Sequence, residues 1–272
     1  MKTTANKSDV DSRLTDFEVQ GNTQCLFGVN VHALTMQQAL ENIDKCITLR
    51  HSLHIGMLNA AKIINMRRSP ALDADVKKSN MILADGSSIL VASRLLGRAL
   101  PERVTGIDLM LGIFSQGSPL GYRIYCLGAT PKVLEKVQQQ IALQYPGIII
   151  AGAMHGYFSA DEELAVAEKV ARSGCDILLV AMTSPKKEKF MARWGEVMNV
   201  PIVHGVGGSF DVLAGLVERA PKHWQKLGLE WLYRVVQEPK RLWRRYLVTN
   251  TLFVCLLSKE IFLSLCGRVK NR

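Results

Sequence analysis

The chain has 272 residues, 48% hydrophobic and 21% charged, with a mean hydropathy of +0.09. That supports one buried core with a small appendage and excludes a polytopic membrane protein. The net charge of +10 is unevenly placed: from Arg219 to Arg272 there are 12 Lys and Arg against Glu230, Glu238 and Glu260, while the rest is nearly neutral. A neutral body with a basic end directs that end toward an anionic surface. It argues against a nucleic-acid partner, because the body supplies no known nucleic-acid module.

The polar stretch Met1–Asn22 is mixed in charge and has no apolar h-region, so residues 1–23 are expected to form a polar tail on a cytoplasmic protein. Gln24–Val31 reads as one short strand, and Thr35 with Gln38 makes a capping box for a helix running to about Ile47. Further strands are expected at His54–Leu58, Met81–Ala84, Arg123–Leu127, Ile148–Ala153, Ile177–Met182 and Ile202–Val206. Helices are expected to start near Ala60, Ser87, Thr105, Pro131, Asp161 and Ser184. This alternation predicts a compact single α/β domain over residues 24–217, with a largely parallel central sheet flanked by helices.

The composition changes after Leu216. Trp224, Leu227, Trp231, Val235 and Leu242 recur at helical spacing, interleaved with Arg234, Arg241, Arg244 and Arg245. Leu247–Ser258 is an uncharged run of 12 residues, broken by Lys259-Glu260 and resumed at Ile261–Leu265. A spanning helix wants about 20 consecutive apolar residues. Residues 218–272 are therefore expected to form a basic, amphipathic helical appendage lying on an anionic membrane surface. The plainer alternative is a helix packed on the body with a solvated basic face. The apolar stretch also offers a contact for a homo-oligomer.

The six cysteines (Cys25, Cys46, Cys126, Cys175, Cys255, Cys266) include no Cys-x-x-Cys pair, and no His-x-x-x-His or His-Glu-x-x-His spacing occurs. They read as small hydrophobes in a reducing compartment, and neither a metal nor another cofactor is expected. In open α/β sheets ligands bind beyond the carboxyl ends of the strands. The polar residues at those ends are Asn59, the Asp85-Gly86 pair, Thr183–Glu188 and the Gly205–Ser209 loop, with Arg103 and Asp108 flanking a further helix start. Asp85 is either a general base facing a partly dry cleft or the cap of the helix at Ser87. Arg103 is either a contact for a leaving diphosphate or half of a surface ion pair. Lys186 and Lys187 are either donor-phosphate ligands or solvated lysines. Gly205, Gly207 and Gly208 could expose backbone amides to phosphate, although Gly-x-Gly-Gly is a poor match to a dinucleotide fingerprint.

Several ordered segments together resemble the WecG/TagA/CpsF family of glycosyltransferases over about residues 25–255. They are Ala84-Asp85-Gly86, Leu96-Gly97-Arg98 with Pro101–Asp108, Tyr145-Pro146-Gly147 with Gly156-Tyr157-Phe158, and Ser184–Glu188. Gly205–Asp211, Arg219-Ala220-Pro221, Leu227–Arg234 and Glu238–Arg241 follow. The resemblance implies a GT-E fold and inverting, metal-independent transfer from a UDP-sugar to a saccharide on undecaprenyl pyrophosphate, at the cytoplasmic face of the membrane. It also implies that Asp85 is the general base, that Asn59 holds the substrate sugar and that Arg103 contacts the substrate pocket. Asp108, Lys187 and the Gly205–Gly208 loop complete the expected pocket, and Arg234, Arg241 and Arg244 close over the donor diphosphate. Two positions depart from the family pattern: Met57 stands where many members have Thr, and Lys187 where many have Gln. They leave the donor open among glucose, N-acetylmannosamine and mannosaminuronate, and they suggest a catalytically silent assembly subunit as the rival reading.

Overall fold

The computed structural model describes residues 14–266. It begins with an antiparallel hairpin, β1 (Thr23–Leu26) and β2 (Val29–His32), where one strand was expected. Phe27 and Gly28 both have positive φ, the twist that a tight two-residue hairpin turn requires, and Phe27 carries no such signal in sequence. Helix α1 (Met36–Leu49) starts at the expected Thr35–Gln38 capping box. Among the described residues ahead of β1, the segment 14–22 touches the body. Phe17 is buried in the core, and its N–H donates to the carbonyl of Ser52 at 2.8 Å.

Six strands form the central sheet: β3 (Leu53–Leu58), β4 (Met81–Ala84), β5 (Arg123–Gly128), β6 (Ile149–Met154), β7 (Ile177–Ala181) and β8 (Ile202–Gly205). Their order is β4-β3-β8-β7-β5-β6, and every neighbouring pair is parallel. The helices between them are α2 (Ala60–Arg68), α3 (Pro70–Lys77), α4 (Ser87–Leu95), α5 (Gly106–Gly117), α6 (Pro131–Gln144), α7 (Glu163–Arg172) and α8 (Lys186–Met198). The short α9 (Ser209–Leu213) follows β8. Ser69 divides α2 from α3 by accepting the Leu72 N–H, with Pro70 in the first turn of the new helix.

Both faces of the sheet are covered, which explains strands that are largely apolar, with His54, Arg123 and His204 as the exceptions. Ile177, Leu179 and Ala181 of β7 pack with α1, α5, α6 and α9, whereas Leu178 and Val180 pack with α7 and α8. At the β4 edge, Ile82 and Ala84 join the hairpin, α2, α3 and α4 in a further cluster. All six strands end at one edge, so the strand-end loops gather on one side of the molecule.

The chain continues through α10 (Lys222–Lys226), α11 (Glu230–Gln237) and α12 (Pro239–Leu265). Lys259 and Glu260 do not interrupt α12; Glu260 pairs with Arg67 at the end of α2. Its Leu242–Ser264 stretch is long and apolar enough, by length and composition, to cross a membrane. This corrects the reading of a broken 12-residue run. One side of α12 is nonetheless docked on the body: Phe253 is buried, 5.3 Å from Phe27 between ring centroids, and Leu242 and Thr249 are buried with it. Trp243, Leu247, Val254 and Phe262 on the same helix are exposed.

Candidate active site

Asp85 follows directly on β4, a strand buried along its whole length, and is itself half-buried. It does not cap the helix beside it. The N-cap of α4 is Gly86, with no side-chain capping bond. Instead Oδ1 of Asp85 accepts the N–H of Gly106, the first residue of α5, at 3.1 Å, and Oδ2 accepts from the Asn59 amide at 3.4 Å. A carboxylate at the start of a helix meets backbone donors that the helix leaves unpaired. Asn59 is held in turn, because its Oδ1 caps α2 by accepting the Lys62 N–H at 3.0 Å. Two strand ends and the first turn of α5 thus fix one carboxylate at the loop edge of the sheet.

The first turn of α5 is anchored on three sides. Val104 N–H donates to the Ala84 carbonyl at 3.0 Å, tying the turn to β4. The Thr105 hydroxyl caps the helix by accepting the Asp108 N–H and donates to the Asp108 carboxylate at 2.6 Å. Arg219 reaches that same carboxylate at 2.7 Å. Asp108 is therefore committed to an ion pair that joins α5 to the segment after α9. From β8, the ring of His204 lies 3.1 Å from the Gly106 carbonyl through Nε2. Met57 packs beneath Gly106: a Cβ built there would lie 3.6 Å from Met57 Cγ and 3.9 Å from His204 Cε1.

Lys187 and Glu188, at the start of α8, face inward. Lys62 Nζ binds both Glu188 and, at 3.1 Å, the Ser184 hydroxyl. Lys187 Nζ lies 3.7 Å from Glu188 and donates to the Gly205 carbonyl at 3.4 Å. Gly205 makes room for this: a Cβ there would come within 2.9 Å of Lys187 Cδ and Cε. Burial pushes the Lys187 ammonium below its usual range and Lys62 adds to that, while Glu188 and Asp85 oppose it. Burial pushes the Glu188 carboxyl up, but Lys187 and Lys62 outweigh it and hold the group below its usual value. Lys186 is spent elsewhere, donating to the carbonyls of Gly156 and Phe158 at 3.1 and 3.0 Å and lying over the Phe158 ring.

In the loop after β8, the amides of Val206 and Gly207 both donate to the Val180 carbonyl, and that of Ser209 donates to Val206. The Gly207 amide, one of those expected to face a phosphate, is thus turned inward together with its loop neighbours Val206 and Ser209. Gly207 has φ +54 and Gly208 is exposed at the loop's outer edge.

The segment after the body folds back over this edge. The Ser87 hydroxyl donates to the Gly228 carbonyl at 3.0 Å, next to Asp85-Gly86. Arg103 pairs with Glu230 at 3.4 Å, and Arg234 reaches the same residue at 4.0 Å. Both readings of Arg103 thus meet: it is half of an ion pair, and that pair stands at the rim of the candidate site. Arg244 is exposed on α12, and the side chain of Arg241 lies outside the described residues. No group of His, Cys, Asp and Glu able to hold a metal ion occurs among the described residues.

Sequence reasoning found Asp85 and Asn59 and placed Glu188 in the Thr183–Glu188 loop without a role, but it missed Lys62, His204 and Glu230 as parts of the same neighbourhood. Lys62 and Glu188 are 126 positions apart, and no spacing rule links them. His204 did carry a signal, a polar residue inside an otherwise apolar strand, which is the informative kind of exception.

The sequence pattern of the glycosyl transferase WecG/TagA/CpsF family matches residues 24–265, which takes in the sheet, the candidate site and α12. The parallel sheet between helix layers, with its apolar C-terminal helix, is consistent with the GT-E architecture. The chain belongs to the WecG/TagA/CpsF family of glycosyltransferases.

Proposed function

We propose that this protein is an inverting glycosyltransferase that moves a sugar from a UDP-sugar onto a saccharide carried by undecaprenyl pyrophosphate, in envelope or exopolysaccharide assembly. The family supports the reaction class. The observation that carries the rest is the Asp85 carboxylate, held between the Asn59 amide and the Gly106 N–H at the loop edge of the sheet.

In the reaction Asp85 takes the proton of the acceptor hydroxyl as its oxygen attacks the anomeric carbon. The new C–O bond forms on the face opposite the diphosphate, the anomeric C–O bond to phosphate breaks, and UDP leaves with the bonding pair. Arg103 and Arg234, which now share Glu230, transfer to the diphosphate and stabilise its growing charge. Asn59 and Lys187 line the sugar side of the site, and Gly205, Gly207 and Gly208 border it. Arg241 and Arg244 extend the cationic rim along α12.

The body over residues 24–217 does the chemistry, and residues 218–272 bring it to the lipid acceptor. The single apolar helix and the family both support peripheral attachment to a membrane. We place that attachment at the cytoplasmic face, where the UDP-sugar is found and where exposed Trp243 and Phe262 enter the headgroup region while Lys and Arg meet anionic lipid.

The test is UDP release from a panel of UDP-sugars, with and without a short-chain polyprenyl-pyrophosphate-linked sugar, for wild type beside Asp85→Asn. Acceptor-dependent release from one donor, lost in the variant, supports the reaction and the base together. UDP binding with no release from any donor favours the silent assembly subunit.

A further inference from the structure

Deep in the sheet, His204 is completely buried, a placement that polar side chains rarely take without a partner or a task. Its Nε2 lies 3.1 Å from the carbonyl of Gly106, while Nδ1 has no partner among the described residues. A carbonyl can only accept, so Nε2 carries the hydrogen and Nδ1 is left as a bare acceptor. Burial lowers the ring's pKa from 6.5 to about 4, so it is neutral at physiological pH. Among the described residues, the ring's one hydrogen bond is the one it gives to Gly106.

What that bond holds is the residue that binds Asp85. The carbonyl of Gly106 accepts from His204, and the N–H of the same Gly106 donates to Asp85 Oδ1 at 3.1 Å. Gly106 is buried and is the first residue of α5, where backbone geometry is least constrained by the helix's own bonds. It also has no side chain to lock its position, and Met57 and His204 are the nearest groups on the side where a Cβ would stand. Val104 and Thr105 tie the preceding residues to β4 and to Asp108, so His204 is the tie from the β8 side.

We infer that His204 is a positioning residue for Asp85, acting through Gly106: it fixes the backbone donor that aims the carboxylate at the acceptor hydroxyl. The inference rests on the reading of Asp85 as general base for its kinetic consequence, though not for its structural one. The imidazole exchanges no proton in the cycle. Its part is to keep one hydrogen bond in register between β8, at the centre of the sheet, and the carboxylate at the β4 edge. Holding a reacting group to a fraction of an ångström is the kind of contribution that appears in turnover rather than in binding.

The experiment compares His204→Leu, which removes the donor at similar volume, with His204→Gln, whose side-chain amide keeps an N–H at comparable reach. Asp85→Asn is carried alongside. The first readout needs no substrate: amide hydrogen exchange at Gly106, followed by NMR in the full chain. Exchange is expected to accelerate about tenfold or more in His204→Leu and to return toward the wild-type rate in His204→Gln. An unchanged Gly106 amide in His204→Leu overturns the inference. The second readout is kinetic: kcat falls about tenfold or more in His204→Leu, with KM for the donor and the Kd of UDP within about twofold, and His204→Gln recovers most of the loss. Equal losses in both variants, matching a fall in the UDP-binding fraction, indicate a purely structural role and also overturn it. If Asp85→Asn turns over normally, the general-base reading fails whatever the His204 variants do. If Asp85→Asn is inactive and His204→Leu is fully active, only the positioning role fails.

Discussion

The strand-end loops of the body and the C-terminal helices handle their charged groups in opposite ways. In the body, Asp85, Asn59, Asp108, Lys62 and Glu188 each have named protein partners in buried or half-buried settings. In the appendage, Arg244 and Arg245 are exposed, Arg234 only approaches Glu230, and large apolar side chains such as Trp243 and Phe262 face outward. The first arrangement suits chemistry, where reacting groups must already be in place before the substrate arrives. The second suits a surface waiting for something outside the protein, since its apolar area and several of its cations face solvent. Arg103–Glu230 and Ser87–Gly228 join the two at the rim of the site.

The largest expected effect tests the body alone. Asp85→Asn keeps the shape and one accepting oxygen for the Gly106 N–H, gives up the contact from the Asn59 amide and removes the base, so acceptor-dependent UDP release should fall about 10³-fold, in the range general-base losses take. UDP affinity should change little, because the carboxylate's side-chain partner is Asn59, whereas Arg103 and Arg234 pair with Glu230. A variant that retains near-normal turnover would remove Asp85 from the mechanism.

Acid should separate the regions next. His204 titrates near 4 in the fold against an ordinary 6.5, because burial disfavours its charged form, and burial also lowers His32 and His54. The unfolded chain therefore takes up these protons first as the pH falls. The contribution of the neutral rings is fully present above about pH 6.5 and is lost as the pH falls, for His204 on the way down to about 4. For His204 alone that loss is about 3 kcal/mol. Urea midpoints measured between pH 7 and pH 4.5 should fall steeply for wild type and less steeply for His204→Gln. Parallel slopes would show that His204 is not buried as a neutral ring. Glu188, held below its usual value, adds a further loss only as the pH passes below about 4.5.

The two faces of α12 supply the third contrast. Replacing exposed Trp243 and Phe262 together with Glu should weaken binding to anionic vesicles by about a hundredfold or more, because each side chain gives up about 1.5–3 kcal/mol of apolar burial in the membrane. Stability in solution should hardly move, since neither residue packs on the body. Unchanged vesicle binding would leave α12 as a packing helix only.

How much of this could be read in the sequence follows the same division. Buried parallel strands are continuous apolar runs, so Met81–Ala84 was placed to the residue, and Asp85 stood out as the polar residue that ends it. The hairpin was read as one strand because Phe27-Gly28 is not a usual turn pair. The length of α12 was underread because Lys259-Glu260 looks like a break, whereas Glu260 has a partner in Arg67 that only the fold supplies. The Asp85–Gly106 bond and the Lys62–Glu188 pair are long-range contacts between residue types with no mutual spacing rule. The charges in the tail could be counted, but that Glu230 gathers Arg103 and Arg234 could not.

The smallest expected effect lies at that junction. Glu230 is mostly shielded from solvent and sits between two arginines that the proposed reaction assigns to the donor diphosphate. A carboxylate there neutralises the cations before substrate arrives and must be displaced when UDP binds. Glu230→Gln keeps the shape and an accepting oxygen while giving up the charge. UDP should then bind about threefold tighter, a difference of ~0.6 kcal/mol and the usual worth of a partly exposed ion pair. The gain should shrink as salt is raised, because the arginines are then screened. Tighter product binding should also slow turnover wherever UDP release is limiting. Weaker UDP binding in Glu230→Gln would mean the reverse relation: the carboxylate orients Arg103 and Arg234 for the diphosphate rather than competing with it. The rim would then be a prebuilt binding surface like the body beneath it, and the contrast between the two regions would begin at α12 instead of at α11.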